Sequence, residues 1–565
     1  MEQAIDKHWL KNYPVGVPHE VHPEQYRSLT QLLEESFRKH AANPFSVCMD
    51  RWMSYGQLDE LSTALGAWLQ AQGLEPGARV AIMLPNVPQF AVTMAAVLRA
   101  GYTCVNVNPL YTARELEHQL KDSGATAIVI LENFAGTLQE VIDRTPIKHI
   151  VMASMGDLLG FWFGRWITFA VRHLARLVPA YKLPLSDGRK VTPFNLAVAQ
   201  GSSLGLRPSA QTLDSVAFLQ YTGGTTGLSK GAVLTHRNIV AAILQADAWF
   251  TPALKRIGDV SKTNSIAALP LYHIFALSLC LLAVRWGSHL TLIPNPRDIG
   301  KFIGVLKRRP FHILPAVNTL FNALLHHPQF KSIDFSQLCV SQAGGMAASA
   351  GTARHWQEVT GCPMVEGWGM SETCAAGTNN PVLAREFSGT IGLPLPGIDL
   401  AIKDDAGQSV AQGTAGEICI KGPNVMAGYY QQPEENSLAF TADGYLRTGD
   451  IGIMDASGYT KIVDRKKDMI LVSGFNVFPN ELENVVSLCP GVVECAAVGV
   501  PDEKQGEAIK IFVVKSDPVL SEEDVARYCR QNLTGYKLPK YIEFRDELPK
   551  TNVGKILRRE LRTAK

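Results

Sequence analysis

At 565 residues, with 46% apolar and 19% charged side chains, the chain is long enough for two or more packed units and too apolar to be a disordered one. A formal net charge of +2 excludes the domain-wide basic excess of a nucleic-acid-binding protein. The ten cysteines are scattered with no Cys-x-x-Cys pair, so neither a zinc site nor a disulfide frame is expected, and reduced thiols in a cytoplasmic setting are the simpler reading.

The first residues are polar and mixed in charge, unlike a secretory signal. From about 28 to 450, strand-like and amphipathic helical runs alternate. Residues 78–84 read as a strand, 88–100 as a helix, 103–107 as a strand, 113–122 as a helix and 127–131 as a strand. That rhythm predicts parallel sheets covered by helices. Residues 158–178 are rich in aromatic and aliphatic side chains, but Arg165, Arg172 and Arg176 interrupt them, so the segment is no membrane span. At 100° per residue the three arginines fall within about 40° of one another. An interfacial helix resting on lipid and a core-docked helix with one wet edge both fit.

Further along comes YTGGTTGLSKGA (221–232), flanked by strand-like runs at 216–221 and 231–235, with a helix starting near 235–238. A Walker A loop needs Gly-Lys-Ser/Thr running straight into a helix, and that register fails here. Glycines that admit close backbone approach, threonine hydroxyls and Lys230 still suit phosphate. Residues 338–341 read as a strand leading into Ala343-Gly-Gly-Met-Ala347, a turn able to pass its backbone along a flat ring. In Gly367-Trp-Gly-Met-Ser-Glu-Thr373 an indole that could stack on a purine precedes a carboxylate suited to Mg²⁺. A buried tryptophan beside a capping glutamate fits that segment equally. Arg447-Thr-Gly-Asp450 offers an acceptor for ribose hydroxyls, or a plain turn.

Near 464 the texture changes. Asp464-Arg-Lys-Lys-Asp468 reads as a flexible connector or a solvated turn. Beyond it the order is helix (480–488), strand (492–500), strand (509–514), helix (522–531) and strand (541–544). An exposed basic loop (548–555) and a short helix close the chain. The fold class expected is α/β: a large N-terminal domain (1–463) of helix-covered, mostly parallel sheets plus a β-subdomain, a hinge (464–468), and a small, mobile α+β C-terminal domain (469–565).

Taken in this order, the five segments 221–232, 343–347, 367–373, 447–450 and 554–555 resemble the adenylate-forming superfamily of AMP-dependent synthetases and ligases, over roughly residues 28 to 560. ADGYLRTGDIGIMDASGYTKIVDRKK (442–467), with 270–276, 295–298 and 472–479, is similar to its fatty-acid branch, the bacterial long-chain fatty acyl-CoA synthetases. The resemblance implies an AMP-forming acid–thiol ligase that joins a fatty acid to CoA at the expense of ATP, through an acyl-adenylate, and feeds fatty-acid degradation. It implies Mg²⁺ as cofactor, and fatty acid, ATP and CoA as partners. Tyr221, Thr222, Gly223, Gly224, Thr225, Thr226, Gly227, Leu228, Ser229, Lys230, Gly231 and Ala232 would grip the phosphates. Gly344, Gly345, Met346 and Gly367 would flank the adenine and Trp368 would stack on it, beside Gly369, Met370 and Ser371. Glu372 with Thr225 would serve Mg²⁺, and Asp450 and Arg465 would take the ribose. Lys467 would be the hinge, Gly474 would border the thiol channel, His273 would sit near the acyl carboxylate, and Lys555 would be the catalytic lysine of the first half-reaction.

Two departures stand out. The family often has tyrosine where Trp368 stands and threonine where Ser371 stands. The segment 374–381, expected on the acyl side, is unfamiliar. Three rivals stand beside this reading: an amino-acid-adenylating module, which would want a carboxylate near 272–275 where none stands; a fatty acyl-AMP ligase serving a carrier protein; and a membrane-docked fatty-acid binding or uptake protein, which would not need Glu372, Asp450 and Lys555 together. A cytoplasmic location is expected, with peripheral contact at the membrane's cytoplasmic face and homo-oligomerisation both left open.

Overall fold

The computed structural model describes residues 7–183, 188–222, 229–473, 475–502, 505–551 and 554–563. The alternating runs build a seven-stranded sheet in the order Lys190–Pro193, His149–Ala153, Ala127–Leu131, Arg79–Met83, Thr103–Asn106, Val216–Thr222 and Lys230–Thr235. Neighbours are parallel except the last two, which form an antiparallel hairpin. Ala127–Leu131 is buried along its whole length, as a strand with helices on both faces must be. The helix Pro88–Arg99 is buried all round, sandwiched between layers.

A nine-stranded sheet runs Leu393–Pro394, Thr378–Asn379, Met364–Trp368, Val340–Ala343, Ile313–Ala316, Asn264–Ala267, His289–Leu292, Pro44–Cys48 and Arg51–Ser54. The strand expected at 338–341 starts two residues later, because the Leu338 amide closes a turn on the Phe335 carbonyl before the ladder begins. Four antiparallel strands, Asp399–Lys403, Gly416–Lys421, Leu446–Met454 and Thr460–Arg465, form a third sheet. The C-terminal part has its own five-stranded sheet, with strands at Ile470–Val472, Phe475–Val477, Val492–Asp502, Gly506–Lys515 and Tyr541–Phe544. Helices Pro479–Val486 and Glu522–Asn532 complete a separate apolar core there. The α/β class and the small C-terminal unit are as the sequence predicts.

Two local expectations are corrected. The run 464–468 is a solvated turn only in its middle: Lys466 and Lys467 sit exposed in a turn, but Asp464 is fully buried, and its carboxylate accepts the amides of Arg465 and Asn480. Arg558 ties the run to Glu483 and Asp468. The single basic stripe in 158–178 also fails. Helix Phe161–Phe169 widens into a π turn at Ala170–Leu174, which breaks the 100° step, and Arg172, itself exposed, is tied to buried Glu132. No helix among the described residues is long and apolar enough to cross a membrane.

Candidate active site

The hairpin Val216–Thr222/Lys230–Thr235 brings Thr222 opposite Lys230 and Tyr221 opposite Gly231, so the phosphate-like loop does join strand to strand. Thr235 then caps the helix His236–Leu254 in a reciprocal capping box with Asn238. Gly223, Gly224, Thr225, Thr226, Gly227 and Leu228 lie outside the described residues, as does Gly474. Both ends of the loop are pinned by the helix Ala113–Ser123. The Tyr221 hydroxyl donates to Asp122 (2.5 Å), and the His118 ring lies 2.9 Å from the Ser229 carbonyl. Lys230 pairs with Glu435 at 2.6 Å.

Loop ends, glycine turns and the C-terminal lysine converge on one cavity of about 1160 Å³. Thr222, Ser229, Lys230, His273, Gly344, Gly345, Gly367, Trp368, Gly369, Met370, Ser371, Glu372, Arg465, Lys467 and Lys555 line it. Tyr221, Gly231, Ala232, Met346 and Asp450 are not among the lining residues. Gly369 has a plain reason to be glycine: a Cβ there would come within 2.4 Å of the Ala375 carbonyl.

Asp450 is nearly inaccessible, and both its oxygens are engaged: Oδ2 accepts the Trp368 indole N–H at 2.8 Å, and Oδ1 pairs with Arg465 Nε at 2.9 Å. Arg465 reaches it because the two residues sit opposite each other across adjacent strands. Trp368 is therefore fixed in the plane of its ring by a bond that a phenol ring at this place would not supply in the same way. Glu372 is buried in the turn Ser371–Thr373, and its Oε1 accepts the Tyr429 hydroxyl at 2.7 Å. Burial pushes its carboxyl above the usual range, an effect the Tyr429 bond partly offsets.

Residues 548–555 were expected to form an exposed basic loop; of those described, Lys550 is exposed, but Leu548 is buried and Thr551, Gly554 and Lys555 are half-buried. Lys550 bridges to Ile556, the Thr551 amide donates to the Lys555 carbonyl, and Gly554 presses against Thr319 of the large unit. Lys555 thus enters the cavity, where desolvation, and then Arg465, hold its amine down to about 8, opposed by Asp450 and Glu372. Lys467 is lowered by desolvation first and by Arg465 next. His273 caps the helix Ile274–Trp286; its Nδ1 accepts the Phe275 amide at 3.3 Å, which leaves the proton on Nε2. Burial, with Lys555 nearby, holds that imidazole down to about 4, so it is neutral at pH 7.

The remaining wall is apolar. Ala242, Ala246 and Phe250, spaced four residues apart on one helix, face Leu279 and Leu282 on the next, with Leu395 beside them. Cys374, Ala375, Ala376, Thr378 and Asn379 line the cavity as well. Tyr429, His118, Glu435 and this helix-to-helix wall were not anticipated. Only the wall left a signal in the sequence, the i, i+4, i+8 run of apolar side chains.

The profile of the AMP-binding enzyme family matches residues 33–430, and that of the AMP-binding enzyme C-terminal domain matches residues 481–555. Over 560 residues the chain is 49% identical to a long-chain-fatty-acid–CoA ligase of Escherichia coli O6:H1, covering 99% of this chain and 98% of that one. Among solved structures, ATP-bound MatB from Rhodopseudomonas palustris is 27% identical with a TM-score of 0.79, over 94% of this chain and 98% of that one. An anthranilate CoA ligase in complex with anthranoyl-AMP is 24% identical, has a TM-score of 0.82 over 96% of this chain and 98% of that one, and shares the fold.

Proposed function

The chain belongs to the AMP-binding enzyme family, and from that premise we propose that it is a long-chain fatty acid–CoA ligase. The observation that carries the reading is 49% identity to such a ligase along almost the whole of both chains. ATP, fatty acid and CoA go to acyl-CoA, AMP and diphosphate, supplying fatty-acid degradation. First a carboxylate oxygen bonds to the α-phosphorus as the bond to the diphosphate oxygen breaks. Then the CoA sulfur bonds to the acyl carbon, the bond to AMP breaks, and the thiol proton leaves to solvent.

The first step drives an anion at a polyanion. Two unit charges about 4 Å apart repel by roughly 4 kcal/mol at an effective dielectric of 20, so neutralisation is most of the work. Among the described residues lining the cavity, Lys230, Arg447, Arg465, Lys466, Lys467 and Lys555 outnumber Glu372, Asp405, Glu417 and Glu435, and no protein nucleophile is required. Neutral His273 would offer its Nε2–H to the acyl carboxylate. Trp368 would stack on adenine between Gly344, Gly345 and Gly367, and Arg465 with Asp450 would receive the ribose. The donor set fits Mg²⁺, because Glu372 is a buried oxygen donor that forms no ion pair among the described residues. Glu372 would hold it with Thr225, and when bound it supplies neutralising charge to the phosphates. Rotation of residues 469–565 about Lys467 would then remove Lys555 and admit the thiol past Gly474.

The apolar wall supports a fatty chain over an amino acid, whose ammonium would want a carboxylate there; none of its residues is charged. A cytoplasmic enzyme that meets its substrate at a lipid surface accords with so apolar an acid. The test is ATP- and CoA-dependent AMP release across a series of acyl lengths. Release that climbs with chain length and needs CoA is expected. Adenylate formation with no CoA-dependent release would instead favour a ligase serving a carrier protein.

A further inference from the structure

Residues 161–177 hold six large apolar side chains out to solvent: Phe161, Trp162, Trp166, Phe169, Leu174 and Leu177 each have between 54% and 82% of their surface exposed. No other stretch of twenty described residues presents more than three such side chains. Scattered exposed apolar residues are ordinary, but a contiguous cluster marks a surface that something covers.

The helix has no freedom to roll these rings inward. Gly156 and Gly164 meet backbone to backbone, so that a Cβ on either would come within 2.2 Å of the other's carbonyl oxygen. Phe163 and Ile167 pack on the main core, and Arg172 is anchored on buried Glu132. Within the outer face, Phe161 stacks edge-on against Trp162 and Arg165 lies over Phe161. Arg51 reaches across to Phe163 from the edge strand. From 158 to 183 the sequence contains no carboxylate, while Arg165, Arg176 and Lys182 add positive charge.

Exposed indoles interleaved with cations, and no acid among them, complement a surface that is anionic outside and apolar just beneath. A soluble protein partner satisfies the apolar half of that description but gives no reason for the missing carboxylates. We infer that the aromatic tip formed by Trp162, Arg165, Trp166, Phe169 and Leu174 docks this enzyme on a bilayer containing anionic lipid. The inference rests on the fatty-acid reading only in explaining why docking is useful: the substrate partitions into that bilayer.

The test uses the full-length protein and flotation with two sets of vesicles, phosphatidylcholine alone and phosphatidylcholine mixed with phosphatidylglycerol. Wild type is expected to float with the mixed vesicles, less at high salt, and much less with phosphatidylcholine alone. Trp162→Ser/Trp166→Ser and Arg165→Glu/Arg176→Glu should each lower the partition by at least about tenfold. Their melting temperature and their turnover of a short, water-soluble acid should stay as in wild type. Wild type left unbound at low salt overturns the inference, as do variants that float equally well. Variants that lose a dimer in sedimentation, without vesicle binding in wild type, also overturn it and assign the patch to a second copy. Floating without any acyl-CoA formation would keep the docking surface and remove the ligase reading.

Discussion

Lys555 and Trp162 each break the ordinary rule of burial, in opposite directions. Lys555 is a cation drawn out of water into a cavity, and desolvation lowers its amine to about 8. Trp162 is an indole left 82% exposed on a helix locked by backbone contact. Both are costly placements, and in both the surrounding structure holds the residue where it would not go alone. The cavity collects charges that a polyanion can neutralise, and the tip collects rings that a lipid surface can cover. An unfavourable placement points to its missing partner, whose character is the opposite of the solvent the residue has been given.

The largest expected effect is on the buried cation. Lys555→Ala should lower the rate of acyl-adenylate formation by on the order of 10²–10³, measured as ATP–diphosphate exchange, in keeping with loss of one transition-state donor. Next comes the joint that would carry it: Lys467→Pro should spare diphosphate exchange and block AMP release with CoA, and equal loss of both would sink the hinge. The titration of Lys555 gives an effect of about tenfold per pH unit. In the free enzyme the charged amine is present below its value and lost above it, so kcat/KM for adenylation should be level near pH 7 and fall as pH rises through about 8. A profile level to pH 10 would show that the cation is not needed or not perturbed. Smaller still, Trp368→Phe keeps the ring face but removes the N–H to Asp450. KM for ATP should rise about fivefold to tenfold, as for loss of one ordinary hydrogen bond of about 1 kcal/mol that positions the ring, with little change in kcat. The smallest effect belongs to the tip, whose variants should leave turnover of a soluble acid unchanged.

Much of the fold was legible because its signals are local. The strand 127–131 and the strand 541–544 fall where periodicity put them, and the strand-like runs on either side of the 221–232 segment correctly announced a strand-to-strand connection. What stayed hidden depends on residues far apart in the chain. Asp450 lies 82 positions from the tryptophan that holds it, and Tyr429 lies 57 from Glu372. The loop at 548–555 looked solvated because its charges were counted without the Thr319 surface that Gly554 presses against. The arginine stripe at 158–178 looked continuous because a 100° step was carried through residues that form a π turn, and because Glu132, Arg172's partner, sits 40 residues earlier.

The central claim is that Lys555 serves adenylation and not thioester formation. Supplying Lys555→Ala with preformed acyl-AMP and CoA, and measuring AMP release, tests it most directly. Release at close to the wild-type rate is expected. A fall as deep as the loss of diphosphate exchange would contradict it, because one buried amine would then be needed in both halves of the reaction.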